Sequence, residues 1–260
     1  MSLNLSTKAK ITWCPGCTNF AILSAFQKAV SEMIENGEVE EKNVVAVSGI
    51  GCGSKITDYL NMNTFTSLHG RELPAMTGIK SANPSLLVFG FSGDGSTYDE
   101  GVAHLVHAAR RNSDVNFFVH DNQLFALTTG QATPTSPKGF KGKSTPSGSI
   151  EEPMNPLLTM LSLGATFVAR ANALDIENTK KIMQEAARHK GFSFVDIVQP
   201  CITLFDTRED YKDKLYNLDE SYPTDDFDFA MRKVQERGER IPLGIFYKVE
   251  KPTFEEQLHQ

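Results

Sequence analysis

Short apolar runs recur along the chain and alternate with segments of helical spacing. Five runs are apolar along most of their length: residues 43–48, 86–92, 115–121, 165–170 and 192–199. Runs of this kind are typical of strands in a parallel sheet that is covered on both faces. A sixth strand-like run, residues 241–247, follows near the end of the chain.

The segments between these runs favour helices. Residues 98–111, 176–190 and about 227–234 have helical periodicity, with Asp175 as the N-cap and Gly191 as the stop of the second segment. Another helix is predicted after residue 17, where these apolar residues recur at helical spacing: Ile22, Phe26, Ala29, Val30 and Met33.

This alternation predicts an α/β fold, a mostly parallel sheet flanked by helices on both faces. In such a sheet the ligand lies beyond the carboxyl ends of the strands. We interpret residues 1–260 as a single domain, with residues 201–260 as a C-terminal extension packed on it.

Residues 128–152 interrupt the pattern. They are rich in Thr, Ser, Pro, Gly and Lys and have no period. A loop this long in a compact domain is usually functional or disordered. We expect it to cover the active site or to contact a partner subunit.

Composition narrows the possible partners and location. The formal net charge of −6 argues against a nucleic-acid partner, because phosphate binding needs basic patches. No apolar run is long enough to cross a bilayer, and residues 1–12 contain no apolar signal core. The expected location is therefore the cytoplasm.

A glycine-rich turn follows the strand at residues 86–92. In Gly93-Asp94-Gly95 the backbone can approach phosphate oxygens closely, and Asp94 offers the oxygen ligand that Mg²⁺ prefers. Asn122 follows one helix and one strand later, so a βαβ unit would bring its side chain beside Asp94. This Gly-Asp-Gly … Asn arrangement resembles the motif that binds thiamin diphosphate. The tripeptide by itself is also common in ordinary turns.

The chain has four cysteines, Cys14, Cys17, Cys52 and Cys201. The first two form a Cys-x-x-Cys pair, which occurs in thioredoxin-like redox sites, zinc sites and cluster sites. Cys52 and Cys201 each follow a predicted strand, so they are expected at the same sheet edge as Gly93 and Asn122. Four thiolates there suit a [4Fe–4S] cluster. Structural zinc stays open as an alternative, although zinc modules favour paired knuckles.

Ten segments in order resemble β subunits of the 2-oxoacid:ferredoxin oxidoreductases, and the similarity covers nearly the whole chain. They are Trp13-Cys14-Pro15-Gly16-Cys17, Gly49-Ile50-Gly51-Cys52, Leu68-His69-Gly70-Arg71, Thr77-Gly78-Ile79-Lys80, Gly93-Asp94-Gly95, Ala108-Ala109-Arg110-Arg111-Asn112, Asp121-Asn122, Thr128-Thr129-Gly130-Gln131, Gln199-Pro200-Cys201 and residues 240–247. Members of this family decarboxylate a 2-oxoacid on thiamin diphosphate, transfer the acyl group to coenzyme A and pass electrons to ferredoxin.

The resemblance implies a role for individual residues. All four cysteines would hold one [4Fe–4S] cluster, and Mg²⁺ would be held by Asp94, Asn122 and the backbone carbonyl of Leu124. Lys55 matches a family lysine close to the reacting carbon, where a cation can hold the substrate carboxylate or stabilise an oxyanion; a solvated surface lysine is the alternative. The remaining cofactor-binding positions would be Ile50, Gly51, Cys52, Gly53, His69, Gly93, Gly95, Ser96, Phe125, Ala126, Leu127 and Thr128.

Three segments depart from the family pattern. The family often has Cys-Ser-Gly-Lys where this chain has Cys52-Gly53-Ser54-Lys55, and it usually has Asp where this chain has Ser96. The Tyr-Gly that usually follows the metal-binding Asn is Phe125-Ala126 here. None of these changes removes a metal or cluster ligand.

A second subunit is expected, because thiamin enzymes use two modules and this chain has one. The partner, an α subunit in an αβ or α2β2 assembly, would hold the aminopyrimidine and supply the activating glutamate. Two other interpretations remain: a non-oxidative thiamin enzyme with zinc, and an electron-transfer or scaffold subunit without activity. The substrate is expected to be 2-oxoglutarate or a broad range of 2-oxoacids, because the chain resembles the compact two-subunit members.

Overall fold

The structure, a computed structural model, describes residues 3–258. Its helices are α1 (Asn19–Glu35), α2 (Glu72–Ala82), α3 (Val102–Arg111), α4 (Pro156–Ser162), α5 (Ile176–Arg188), α6 (Arg208–Tyr211), α7 (Phe227–Lys233) and α8 (Phe254–Leu258). Its strands are β1 (Val44–Ser48), β2 (Asn63–Thr66), β3 (Leu87–Gly93), β4 (Asn116–Asp121), β5 (Leu124–Phe125), β6 (Gln131–Ala132), β7 (Phe167–Asn172), β8 (Ser193–Val198), β9 (Leu215–Asn217) and β10 (Ile241–Lys248). Short 3₁₀ helices span Glu41–Asn43 and Gly53–Tyr59.

Eight strands form the main sheet, in the order β2-β1-β3-β4-β8-β7-β10-β9. All neighbours are parallel except β10 and β7, which pair antiparallel. The predicted fold class, a mostly parallel sheet with helices on both faces, is confirmed. How the chain divides into domains stays a prediction, although β9 and β10, from the segment after residue 200, extend this same sheet.

The central strands of the sheet are buried on both faces, which explains why they are apolar along most of their length. Alternate residues of β1 enter different cores: Val44 and Ala46 pack with α1 and α5, whereas Val45 and Val47 pack with α2, α3 and α4. Five phenylalanines lie in the first core, where the Phe26 ring is edge-on to two strand rings with centroids at 5.0 and 4.8 Å. The cores hold the strands rigidly, so the loops at their carboxyl ends have fixed starting points.

The helix predicted over residues 98–111 is divided. A π-helical turn spans Ser96–Glu100, and the α-helix begins only at Val102. Gly101, between them, approaches the Ser96 carbonyl so closely that an added Cβ would lie 2.7 Å from its oxygen. Such single π turns occur mostly at functional sites, and this one directly follows the Gly-Asp-Gly turn.

The interpretation of Gly191 as a helix stop was wrong. Helix α5 begins as predicted, with the Asp175 side chain accepting from the Asn178 N–H, but it ends at Arg188. Gly191 has a φ of +124°, and a Cβ there would lie 2.4 Å from Asn112 Oδ1. Glycine is therefore needed for the close approach of Asn112, not for ending the helix.

Two elements had no clear signal in the sequence. All of β2 is exposed, so it lacks an apolar run, and α2 contains Pro74 and Gly78, which disfavour helices. The predicted loop at 128–152 contains only the two-residue strand β6. None of the helices in residues 3–258 is both long enough and apolar enough to pass through a membrane.

Candidate cofactor and cluster site

The candidate site lies where four neighbouring parallel strands end. Cys52 follows β1, Asp94 follows β3, Asn122 follows β4 and Cys201 follows β8, and these strands are adjacent in the order β1-β3-β4-β8. The chain passes from β1 to β2 on one side of β1 and then crosses to β3 on the other side. Ligands of open α/β sheets bind at such a switch point.

A single cleft at this edge brings together all the residues that the resemblance assigns to the cofactor. They are Ile50, Gly51, Cys52, Gly53, His69, Gly93, Asp94, Gly95, Ser96, Asn122, Leu124, Phe125, Ala126, Leu127 and Thr128. Their roles in binding stay predictions. Lys55 does not line the cleft; it is half-buried in the 3₁₀ helix after Cys52.

Asp94 is a buried carboxylate at the floor of this cleft. It is 1 % exposed, and its Oδ2 accepts hydrogen bonds from Thr133 Oγ1 at 2.6 Å and Thr135 Oγ1 at 3.0 Å. Burial raises the pKa of Asp94 to about 6, and no ion pair in residues 3–258 involves it. A carboxylate held out of water without a cation suits a hard divalent ion such as Mg²⁺. Both threonines come from the loop at 128–152, which therefore reaches the cleft.

Asn122 is oriented by a chain of buried amides and hydroxyls. Its Nδ2 donates to Gln199 Oε1 at 3.0 Å, Gln199 Nε2 donates to Thr18 Oγ1 at 2.6 Å, and Thr18 Oγ1 donates to the Pro200 carbonyl at 2.9 Å. Because Nδ2 is engaged, Asn122 Oδ1 faces the opposite side, where it accepts from the Leu124 N–H at 3.3 Å. This oxygen is thus available to a metal ion.

Phe125 packs directly on the Gly-Asp-Gly turn. A Cβ on Gly95 would lie 2.3 Å from the Phe125 ring, and the His69 ring is 6.0 Å away, centroid to centroid. The backbone beside it is strained: Gln123 and Thr129 both have positive φ, at 64° and 74°. Strain of this kind is concentrated at functional sites. It shows that the short β5–β6 hairpin is held in place over the turn.

Ser96, one of the departures from the family pattern, links the turn after β3 to Gly70 and to the start of helix α2. Its Oγ accepts from the Gly70 N–H at 2.9 Å and donates to Glu72 Oε1 at 3.0 Å. Glu72 also accepts from Ser92 Oγ at 2.7 Å, and burial raises its pKa. A buried carboxylate is thus present beside position 96, although it comes from α2, an element that the sequence did not predict.

The four thiols are free, and Cys14 is the exposed one. The Trp13 indole donates to the Cys52 carbonyl at 2.6 Å, which joins the Cys14 segment to the Cys52 loop. Burial raises the pKa of Cys52 to about 11, and Cys14, Cys17 and Cys201 raise it further, whereas Lys55 lowers it. Each thiol is therefore within electrostatic reach of Cys52.

The arrangement of the thiols bears on the predicted cluster, which stays a prediction. In residues 3–258 no three His, Cys, Asp or Glu side chains converge as one metal ion requires. A four-iron cluster separates its cysteine ligands more widely than a single ion does. Asn19 Nδ2 and Ser54 Oγ, both in cysteine-bearing segments, are also buried without hydrogen-bond partners in the described chain, so donors remain for cluster sulfurs.

Comparison with known proteins assigns the family. Residues 40–197 match the C-terminal TPP-binding domain of thiamine pyrophosphate enzymes, and residues 201–260 match the C-terminal family of the pyruvate ferredoxin oxidoreductase beta subunit. The chain is 42 % identical to 2-oxoacid:ferredoxin oxidoreductase 1, subunit beta, of Aeropyrum pernix, covering 95 % of this chain and 81 % of that protein. The chain belongs to the family of 2-oxoacid:ferredoxin oxidoreductase β subunits.

Other relatives agree with this assignment. The chain is 39 % identical to the 2-oxoglutarate synthase subunit KorB of Archaeoglobus fulgidus, with 88 % of both chains covered. A solved structure of 2-oxoglutarate:ferredoxin oxidoreductase from Magnetococcus marinus, with 2-oxoglutarate, coenzyme A and succinyl-CoA bound, superposes with a TM-score of 0.94 at 34 % identity. That match covers 98 % of this chain and 87 % of the other. The resemblance found in the sequence is confirmed, and the match to a TPP-binding domain supports the predicted thiamin diphosphate.

Some residues of the site were missed by the sequence interpretation. Thr133 and Thr135 lie in a segment without periodicity, and Glu72 lies in an unpredicted helix. Asn19 and His120 are both wholly buried beside the cysteines. The sequence offered one signal for the pair of Asn19 and His120: His120 is a polar residue inside an apolar strand.

Proposed function

We propose that this chain contributes the diphosphate half of a thiamin diphosphate site and one [4Fe–4S] cluster to an enzyme that oxidises a 2-oxoacid. The overall reaction converts the 2-oxoacid and coenzyme A to acyl-CoA and CO₂ and passes electrons to ferredoxin. The main support for this proposal is the position of Cys52, which lines the cofactor cleft and is also within electrostatic reach of the other three thiols. A cluster held there would lie next to the cofactor.

The residues of the cleft have separate tasks in this proposal. The Asp94 carboxylate, Asn122 Oδ1 and the Leu124 carbonyl would hold Mg²⁺, which would neutralise charge on the diphosphate. Backbone groups at Gly93–Ser96 and Ile50–Gly53, which line the same cleft, would bind the cofactor. Bound thiamin diphosphate supplies a nucleophilic carbon and an electron sink, and the cluster supplies one-electron transfer.

The hairpin and the loop after it control access to this cleft. Phe125 lies on Gly95 and beside His69, so Phe125–Thr128 and His69 exclude water around the cofactor. Lys55 lies three residues after Cys52 and lowers the pKa of its thiol; its ammonium would act on the negative charge of the substrate carboxylate or of the reacting carbonyl oxygen. Thr133 and Thr135 hold Asp94 from the loop side.

The site is completed by a partner, the α subunit. It supplies the aminopyrimidine module and the activating glutamate, in an αβ or α2β2 assembly. Several apolar side chains near the cleft are exposed in this chain, among them Leu68 at 75 %, Ile50 at 45 % and Leu127 at 43 %. Exposed apolar patches of this kind favour a protein partner. A cytoplasmic location suits free thiols and a cluster, because that compartment is reducing.

We propose 2-oxoglutarate, or a broad set of 2-oxoacids, as the substrate. Relatives are named for 2-oxoglutarate, and the structural neighbour contains it. The test is anaerobic co-purification with the partner subunit, followed by assays of coenzyme A-dependent ferredoxin reduction with 2-oxoglutarate, pyruvate and branched-chain 2-oxoacids. We expect the complex to reduce ferredoxin when 2-oxoglutarate is the substrate. A complex loaded with both cofactors that reduces ferredoxin with none of these acids would contradict it.

A further inference from the structure

Asn19 lies at the first position of α1, two residues after Cys17, and is wholly buried. Its Oδ1 is 2.7 Å from His120 Nδ1. An amide oxygen only accepts hydrogen bonds, so His120 Nδ1 carries the proton in this pair. Asn19 Nδ2 has no hydrogen-bond partner anywhere in residues 3–258. The amide is therefore held at its oxygen end and unpaired at its donor end.

The donor end lies beside the cysteines. Burial raises the pKa of Cys17, whereas both the backbone N–H and the side chain of Asn19 lower it. Because Oδ1 is held at 2.7 Å from His120 Nδ1, the unpaired Nδ2–H is the end of the amide that is left to face the sulfur. The opposite orientation would turn the amide oxygen towards an electron-rich group.

His120 fixes this orientation from strand β4, where it packs against the loop that contains Cys52. Its ring is wholly buried and lies against Gly53, where an added Cβ would be 2.9 Å from the ring. Gly53 directly follows Cys52. The ring is thus wedged between the Cys52 loop and α1, and it has no room to release the amide. A buried N–H held in place but unpaired costs free energy unless a ligand accepts it.

Resting on the proposed cluster, we propose that Asn19, oriented by His120, donates its Nδ2–H to sulfur at Cys17 and raises the reduction potential of the cluster. Reduction adds negative charge to the cluster, and an N–H donor stabilises the more negative state more strongly. Hydrogen bonds to the sulfurs are among the factors that set cluster potentials. The pair would tune electron transfer without contacting substrate or thiamin diphosphate.

The test is an EPR-monitored redox titration of the anaerobically purified complex. Asn19→Leu is expected to keep its iron but to show a reduced-to-oxidised ratio about tenfold lower at a fixed potential. For one electron this equals a shift of about 59 mV to more negative values. His120→Leu keeps the amide but frees its orientation, so its potential should shift in the same direction and by less. The matched control is Asn116→Leu, which changes another buried asparagine, one that donates to the Val88 carbonyl at 3.3 Å. Its potential should equal that of the wild type.

Two results would overturn the inference. One is full iron content with the wild-type potential in both Asn19→Leu and His120→Leu. The other is loss of the cluster from both variants while Asn116→Leu retains it, because the pair would then support the fold of the site and not its potential. Absence of iron from the wild-type complex would instead contradict the proposed function, so the two failures are distinguishable.

Discussion

Replacing Asp94 with asparagine should separate cofactor binding from the stability of the free chain. The substitution keeps the shape of the side chain and removes its charge. If Asp94 is a metal ligand, the variant loses affinity for thiamin diphosphate and Mg²⁺. The chain without cofactor should become more stable, because the carboxylate is buried without a cation in residues 3–258.

The magnitude follows from the environment of the carboxyl group. Burial raises the pKa of Asp94 from 3.8 to about 6, so at pH 8 the ionised side chain destabilises the fold by on the order of 3 kcal/mol. The amide weakens the hydrogen bonds from Thr133 and Thr135, which offsets part of the gain. We expect a net increase in unfolding free energy of about 1–2 kcal/mol, or roughly 2–8 °C in Tm.

The gain has a defined dependence on pH. The pKa of Asp94 is higher in the folded chain than in the unfolded chain, so the folded chain binds this proton more tightly. Ionisation of Asp94 therefore destabilises the wild type progressively as the pH rises from about 4 to about 6. The advantage of Asp94→Asn should therefore be complete at pH 8 and absent near pH 4. Thermal unfolding of the chain without cofactor, at both pH values, measures it.

Cofactor affinity is measured separately, by thiamin diphosphate titration at fixed Mg²⁺ in the complex. Asp94→Asn should bind at least about a hundredfold more weakly, the scale of losing a charged ligand. Asp196→Asn is the control, because Asp196 is equally buried but does not line the cleft. A variant that binds as tightly as the wild type, or that is no more stable at pH 8, would refute the reasoning.

Three further predictions concern other parts of the chain. Lys55→Met should fold and keep both cofactors but lose about a hundredfold in kcat/KM; near-normal kinetics would make Lys55 a surface lysine. Gln199→Leu leaves Asn122 Nδ2 unpaired and should weaken thiamin diphosphate binding by about tenfold, measured by fluorescence titration, whereas unchanged affinity would show that Gln199 does not orient Asn122. Burial lowers the pKa of His189 from 6.5 to about 4, so the neutral ring stabilises the fold less as pH falls below 6.5. Urea unfolding should show that the unfolding free energy of the wild type falls by about 1 kcal/mol between pH 8 and pH 5.5, and that it does not fall in His189→Asn. An equal fall in that variant would rule out His189 as the cause.

The sequence predicted the sheet well because its strands are buried on both faces. Each core strand is a continuous apolar run, so strands such as β3 and β4 could be located within one or two residues. The loop positions of Asp94 and Asn122 then followed from the alternation of strands and helices. Elements at the edge or with mixed composition carried no comparable signal: β2 is exposed throughout, and α2 contains a proline and a glycine.

The polar support of the site could not be predicted from the sequence. Thr133 and Thr135 are separated from Asp94 by about forty residues of chain, and Asn19 is about a hundred residues from His120; these contacts depend on how loops fold over the sheet edge. Ser96 shows the same limit. Its hydroxyl contacts Glu72 and the Gly70 N–H, and neither contact is visible in the spacing of the residues.

The central claim is that one cluster and one thiamin diphosphate meet in this chain, at Cys52. The most direct measurement compares the anaerobic complexes of the wild type, Cys201→Ser and Asp94→Ala. For each complex, iron content and bound thiamin diphosphate are determined, and the EPR signal is recorded after a 2-oxoacid is added. The account predicts about four irons per chain and a substrate-induced signal in the wild type. Cys201→Ser should lose iron but keep thiamin diphosphate, and Asp94→Ala should keep iron that dithionite reduces and substrate does not. Full iron content in Cys201→Ser, or substrate reduction of the cluster in Asp94→Ala, would contradict the claim.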